Sequence, residues 1–230
     1  MSEKGQLFVV GTPIGNLKDI TIRAISTLQN VDLILAEDTR NSKKLLNAHN
    51  IDTKMISYHE HSNENETQRI IDLLNDGKNL ALISDAGTPT VSDPGYGLIR
   101  NCIKKKIKII PIPGASAITA ALSVSGLPSD SFSFYGFLPQ KKGRLKKIKD
   151  FINIDNTIIL FESPYRLEKT LNQILDLLGN RTVVIGRELT KLYEETIRGN
   201  LVEVIEHFSK TKVKGEIVIM IGKDDDRINF

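Results

Sequence analysis

LISDAGTPTVSDPGY, residues 82–96, is the stretch on which the reading of this chain turns. An apolar run, Leu80–Ile83, stops at Ser84-Asp85 and passes into a turn that holds Gly87, Pro89, Pro94 and Gly95, after which helical spacing resumes. Strand, bare turn and helix in that order are where open α/β sheets place ligands. The glycines admit positive φ and close approach to the backbone, the prolines stiffen the loop, and Asp85 and Asp93 put carboxylates at the carboxyl end of the strand. Taken alone the stretch reads equally well as the floor of a small-molecule pocket or as an ordinary Gly/Pro/Asp connection. Its partners decide.

Moving outward, the same device recurs. Leu7–Val10 breaks at Gly11-Thr12-Pro13-Ile14-Gly15-Asn16, and Ile22, Ile25 and Leu28 follow at helical spacing. Asp32–Ala36 ends in Glu37-Asp38-Thr39-Arg40 before a short helix around Leu45-Leu46. Lys54–Tyr58 leads into His59-Glu60-His61, and a helix over Asn63–Asp76 stops at Gly77. Ile107–Ile112 enters Pro113-Gly114-Ala115-Ser116-Ala117 and a helix of small residues ending near Gly126. Parallel βα units account for this alternation. After Gly126-Leu127-Pro128 the composition shifts to the aromatic run Ser131–Phe137 and then to a basic helix from about Lys141 to Phe151. This predicts two α/β domains, 1–126 and 127–230. The second is expected to contain a strand over Thr157–Phe161, a helix over Tyr165–Leu178, a strand over Thr182–Ile185, a hairpin around Leu189–Ile197, a helix near Leu201–Phe208 and a last strand, Glu216–Ile221.

Composition excludes several classes. With 230 residues, 40% hydrophobic and 26% charged, the chain matches an ordinary globular protein able to bury a large core. A single cysteine, Cys102, rules out an internal disulfide framework and a Cys-rich zinc site. No run approaches the ~18 apolar residues of a membrane span, and the start, MSEKGQLFVVG, lacks a signal pattern. A cytoplasmic protein is expected. The net charge is only +3, but six basic residues crowd between Lys141 and Lys149. Such a face suits a polyanion. There is no GxxxxGK[ST] cradle, GTPIGN is not GxGxxG, and HExxH, Cys/His clusters and G-x-S-x-G are absent. His59 and His61 lack a third ligand, so no metal is expected.

The ordered set GTPIGNL, AEDTR, YHEH, LISDAGTPTVSDPGY, PIPGASA, FYGFLP and FESPYR resembles the tetrapyrrole methylase superfamily, and within it the branch that methylates a cytidine 2′-hydroxyl in small-subunit (16S) ribosomal RNA. The likeness runs from Leu7 to about Gly222. It implies the class III methyltransferase architecture, two α/β domains with S-adenosyl-L-methionine in the cleft between them, and a homodimer. It further implies that Asp85, Gly87 and Thr88 line the methionine side of the cofactor with Ser116 and Ala117 beside them, and that Ile14, Phe161 and Glu216 contribute. Gly11, Pro13 and Gly15 shape the substrate mouth on this reading.

Methyl transfer from a sulfonium is an in-line displacement, so the cofactor carries the reactivity and the protein supplies alignment. A ribose hydroxyl is a poor nucleophile, and a general base contributes roughly two to four orders of magnitude. The candidates to serve as that base or to stabilise the developing alkoxide are Glu37, Arg40, Glu60 and Glu162, and Glu37, Glu60 and Glu162 each follow a strand. Arg23, Arg40, Arg166 and Arg187 fit phosphate contact, since guanidinium grips phosphate bidentately, and Lys142, Arg144, Lys146 and Lys147 on the basic helix add charge. The expected partner is small-subunit ribosomal RNA or the ribosomal subunit. Two alternatives remain: a small-molecule methyltransferase of the tetrapyrrole type, against which the basic helix speaks, and a noncatalytic RNA-binding ribosome-assembly protein, against which the intact DAGTP and PGASA turns speak.

Overall fold

Five short strands, rich in β-branched and aliphatic residues, form the first sheet: β1 (Gln6–Val10), β2 (Leu33–Ala36), β3 (Met55–Ser57), β4 (Leu80–Ile83) and β5 (Lys108–Ile112). The computed structural model describes residues 3–59, 64–210, 212–223 and 225. It divides into two units, Met1–Ser116 and Ala117–Phe230. In the first, the strand order is β3-β2-β4-β1-β5 and every pairing is parallel. All four residues of β2 and of β4 are buried, as a parallel sheet covered on both faces requires.

Strand alternation splits the core in two. Val10, Ile34, Ala81 and Ile83 face α1 (Ile22–Asn30) and α2 (Thr39–Ala48), whereas Leu7, Leu35, Leu80 and Leu82 face α3 (Glu64–Asn75) and α4 (Tyr96–Lys104). The chain leaves β1 for one face of the sheet and leaves its neighbour β4 for the other. Adjacent strands that send their connections to opposite faces open a crevice at their carboxyl ends. That crevice is where the opening stretch lies. Cys102 is buried on α4, and burial pushes its thiol up to about 11, so it is inert packing.

The second unit begins ten residues earlier than the composition shift suggests. Helix α5 (Ala117–Ser125) packs against β10 (Ile217–Ile221) and β9 (Glu195–Asn200), so it belongs with the second sheet and the boundary lies at Ser116/Ala117 rather than at 126. With β6 (Phe132–Phe137), β7 (Thr157–Glu162) and β8 (Thr182–Arg187), these strands take the order β6-β7-β10-β8-β9. Only β6 and β7 are parallel. Helices α6 (Arg144–Asp150), α7 (Leu167–Leu178) and α8 (Leu201–Ser209) cover one face, burying Ile148, Leu171, Ile174, Val204 and Phe208 against Ile158, Leu160, Val183, Ile185 and Ile219.

Local rules explain most boundaries. Gly77 (φ +88°) and Gly179 (φ +81°) close the ends of α3 and α7, and Asn200 with Glu203 forms a capping box on α8. Two expectations need correction. The hairpin is β8 with β9, joined by residues 188–194, because Leu189 turns inward to pack on Gly186 instead of starting a strand. Helix α7 starts at Leu167, not Tyr165, since Ser163–Arg166 is used as a tight turn with Arg166 N–H bonded to Ser163 C=O at 2.9 Å.

Candidate active site

Three glycine turns meet at the carboxyl ends of β1, β4 and β5. The first and third touch backbone to backbone: a Cβ on Gly11 would sit 2.8 Å from Gly114 Cα, and one on Gly114 would sit 2.6 Å from Gly11 O. Only glycine fits both positions. The first and second are pinned by reciprocal backbone bonds, Thr12 N–H to Gly87 C=O at 2.8 Å and Gly87 N–H to Thr12 C=O at 3.1 Å, and the Thr12 hydroxyl shares its proton with the carbonyls of Ser84 and Gly87. Gly87 lies at φ +78°, and a Cβ there would be 3.5 Å from the Ile14 side chain and 3.9 Å from Ala115 O. Ile14, Gly87 and the Ala115 carbonyl therefore come together at one spot.

Strain is stored in the second turn. Between Gly87 and Gly95, Thr90 (φ +74°) and Ser92 (φ +64°) also occupy the left-handed region, which a β-branched threonine rarely enters. Thr90 N–H to Pro94 C=O and Val91 N–H to Thr88 C=O hold the loop in that shape.

A carboxylate group frames the same crevice. Asp85 is exposed yet fixed, its two oxygens taking the Asn41 amide at 2.9 Å and the Asp38 N–H at 3.2 Å. Glu37 Oε2 accepts a long bond from Asp85 N–H at 3.4 Å. Asp38 caps α2, and hydrogen bonds from the Arg40 side chain and N–H pull its carboxyl down to about 2. Arg40 is thus tied to its own helix cap, although its side chain is largely exposed. Asp93 behaves oppositely. Burial raises it, a hydrogen bond from Ser84 lowers it, and the charges of Glu37 and Asp85 raise it again, to about 6.

The sign of that shift gives a testable consequence. The ordinary value is 3.8, so as pH rises from about 4 to about 6 the unfolded chain ionises Asp93 before the folded one does, and folded-state stability falls across that window. Asp93→Asn should remove this fall. Its melting temperature relative to wild type is expected to climb between pH 4 and pH 6 and to level off above, in a thermal-melt series.

In the second unit, Glu162 ends β7 with a fully buried side chain. Its carboxylate binds Arg144 at 3.1 Å, Arg166 at 2.7 Å, the Thr170 hydroxyl at 2.7 Å and the Ser163 N–H at 2.8 Å. Burial alone would raise its pKa, but those four donors outweigh burial and hold it below the usual range. An ionised carboxylate with every lone pair engaged does not serve as a general base, which corrects the catalytic expectation for Glu162. Arg144 is corrected too. Its guanidinium is buried and spans Glu162, Thr170, Gln173 and the Pro139 carbonyl, so it clamps α6 to α7 instead of meeting phosphate.

The other expected positions divide clearly. Arg187 is engaged by Glu195 at 2.8 Å and by the Lys214 carbonyl, which leaves it a poor phosphate ligand. Arg166 keeps about a quarter of its side chain exposed, and Arg23, Lys142 and Lys146 are exposed. Lys147 lies 4.1 Å above the Tyr135 ring. Phe161 packs edge-on against Phe134 and Phe137, and Glu216 is exposed and paired with Lys191 at 2.8 Å. Ala117 opens α5. Glu60 lies outside the described residues, as does His61. Sequence reasoning missed Asn41 and Thr12, which orient Asp85 and Gly87, because neither stands in a recognisable pattern; and it missed Glu188, whose carboxylate crosses Gly215 to bond the Glu216 N–H at 2.9 Å. Among the described residues no group of three or more His, Cys, Asp or Glu is arranged to hold a metal.

The fold and these turns define a class. Residues 6–205 match the family model of the tetrapyrrole (corrin/porphyrin) methylases, and the chain belongs to that family. Its relatives include the ribosomal RNA small subunit methyltransferase I of Halalkalibacterium halodurans, 50% identical over 98% of this chain and 78% of that one, and the protein of the same name from Thermotoga maritima, 48% identical over 96% and 100%. Among solved structures it resembles diphthine synthase (TM-score 0.73, 15% identity, 95% of this chain and 90% of that one). It also resembles uroporphyrin-III C-methyltransferase from Thermus thermophilus complexed with S-adenosyl homocysteine (TM-score 0.66, 17% identity, 95% and 97%).

Proposed function

We propose that this chain is an S-adenosylmethionine-dependent methyltransferase that acts on the 2′-hydroxyl of a cytidine in small-subunit ribosomal RNA, in the cytoplasm and as a homodimer. The observation that carries the cofactor assignment is the union of three bare turns around Gly11, Gly87 and Gly114 next to a fixed, exposed Asp85. The donor set fits the group. A zwitterionic amino acid joined to a nucleoside needs backbone amides and carbonyls at close range and a carboxylate to meet its ammonium or hydroxyls, and the glycines let the three turns bring their main chain together beside Asp85.

When bound, S-adenosylmethionine supplies an electrophilic methyl on a sulfonium. Asp85, Gly87, Thr88 and Ser116 would hold its amino-acid side and Ile14 its apolar flank; the family resemblance adds Ala117, Phe161 and Glu216 to that set. The Asp85 side chain, held by Asn41 and the Asp38 N–H, and the strained 87–95 loop keep the binding geometry set before the cofactor arrives, so little ordering remains at the moment of transfer. Among the described carboxylate candidates Glu37 is the one placed to take the acceptor's proton: it follows β2 beside Asp85 and, unlike Glu162, is not buried. The family relationship and the names of the 48–50% identical relatives support ribosomal RNA as acceptor, and the exposed basic helix α6 agrees with a polyanion. No helix among the described residues is long and apolar enough to cross a membrane.

The test is methyl transfer. Labelled S-adenosylmethionine incubated with the protein and small ribosomal subunits should put label on one cytidine ribose, located by nuclease mapping; label on a base or on no RNA would overturn the assignment.

A further inference from the structure

Phe137 ends β6 on the face that a regular strand would deny it. Alternation from Phe134 would set residue 137 beside Tyr135, whose ring packs on Phe151, 4.8 Å away, under the basic helix. A β-bulge intervenes: β6 advances three residues from Phe134 to Phe137 while β7 advances two, from Ile159 to Phe161. Gly136, at φ +59°, absorbs the extra residue. Phe137 thereby joins Phe134 and Phe161 on the opposite face. Its ring meets Phe161 edge-on, centroids 5.7 Å apart, and Phe161 in turn meets Phe134 at 5.0 Å.

These neighbours brace the ring without covering it. Phe137 stays 56% exposed and Phe132 41% exposed, at the unpaired edge of the sheet. The chain then runs directly through Lys141 and Lys142 into α6, and Ser131–Lys149 contains no acidic residue. Among the described residues Lys141, Lys142, Lys146 and Lys149 form no ion pair, so their charge is available to an external anion. A braced, solvent-facing aromatic followed four and five residues later by unneutralised lysines is a combination that suits single-stranded nucleic acid, one part stacking on a base and the other holding backbone phosphates.

We propose that Phe137 is a nucleobase-stacking site, on which one unpaired base of the RNA lies while Lys141 and Lys142 hold the adjoining phosphates. This rests on RNA being the substrate. The bulge is what creates the site, by turning Phe137 out of the core face.

The two contributions separate by salt. Binding of a short single-stranded RNA carrying 2-aminopurine is measured by fluorescence across a salt series, with Leu145→Ala as a control for an exposed apolar residue on α6. Phe137→Ala should weaken binding about tenfold and relieve the quenching of 2-aminopurine while leaving the salt slope intact, and Phe137→Trp should restore both. Lys141→Glu with Lys142→Glu should instead reduce the slope by about 0.7 for each phosphate that is no longer neutralised. A thermal melt recorded in parallel should stay close to wild type in every variant and so report intact folding. Unchanged affinity and quenching in Phe137→Ala would overturn the stacking site; failure of the wild-type protein to bind the RNA at all would overturn the RNA reading beneath it.

Discussion

Asp85→Ala is expected to abolish S-adenosylmethionine binding in calorimetry while the thermal melt stays close to wild type. The side chain is exposed and packs no core, so its removal creates no cavity. What it removes is a carboxylate held in place by the Asn41 amide and the Asp38 N–H, at the end of the strand where three bare turns converge. Hydrogen bonds from a ligand to a carboxylate are worth about 1.5–3 kcal/mol each, so losing two that Asp85 would make to the cofactor reaches a hundredfold or more in affinity. Asn41→Ala, which leaves the charge but frees its rotation, should cost a smaller share. An Asp85→Ala protein that binds the cofactor like wild type would remove the crevice from consideration as the cofactor site.

The second large effect belongs to Glu162. Glu162→Ala leaves the Arg144 guanidinium buried without its counter-ion, and breaking a buried pair from one side costs about 3–5 kcal/mol. Urea denaturation should show that deficit with an unchanged m-value. Replacing both partners, Glu162→Gln with Arg144→Met, should recover part of it, since no lone charge then stays inside. The pH dependence follows from the direction of the shift. Glu162 is held below its ordinary 4.5 when folded, so its contribution is complete above about pH 4.5 and drains away as pH falls below that value. The wild-type advantage over Glu162→Gln should therefore shrink on acidification. A drop in activity with unchanged stability would instead return Glu162 to catalysis.

These two residues illustrate what kinds of information a linear pattern carries. The position of Asp85 at a strand end was legible because its signal is local: a strand that stops, a turn of Gly and Pro, and a carboxylate at the stop. Glu162 follows a strand in the same way and reads the same in one dimension. What separates them is the burial of one and the exposure of the other, and burial is decided by which elements pack together. Arg144 on α6 and Thr170 on α7 close over Glu162, whereas Asp85 stays exposed. The basic helix shows the same division. Its lysines were readable as a charged face, but Arg144, the member with its position on the inner side of α6, turns inward as a clamp.

By itself the sequence determined the α/β class, the five parallel strands of the first unit, the glycine turns at their ends and the family to which they belong. Those depend on short-range rules, periodicity and turn chemistry, and on motifs kept in order. Only the tertiary structure decided that α5 belongs to the second unit, that β8 and β9 form the hairpin, and that Gly11 and Gly114 must both lack a side chain because their backbones touch. It alone turned Phe137 outward, since a single extra residue in β6 reverses the face and no propensity records a bulge before the partner strand sets the register.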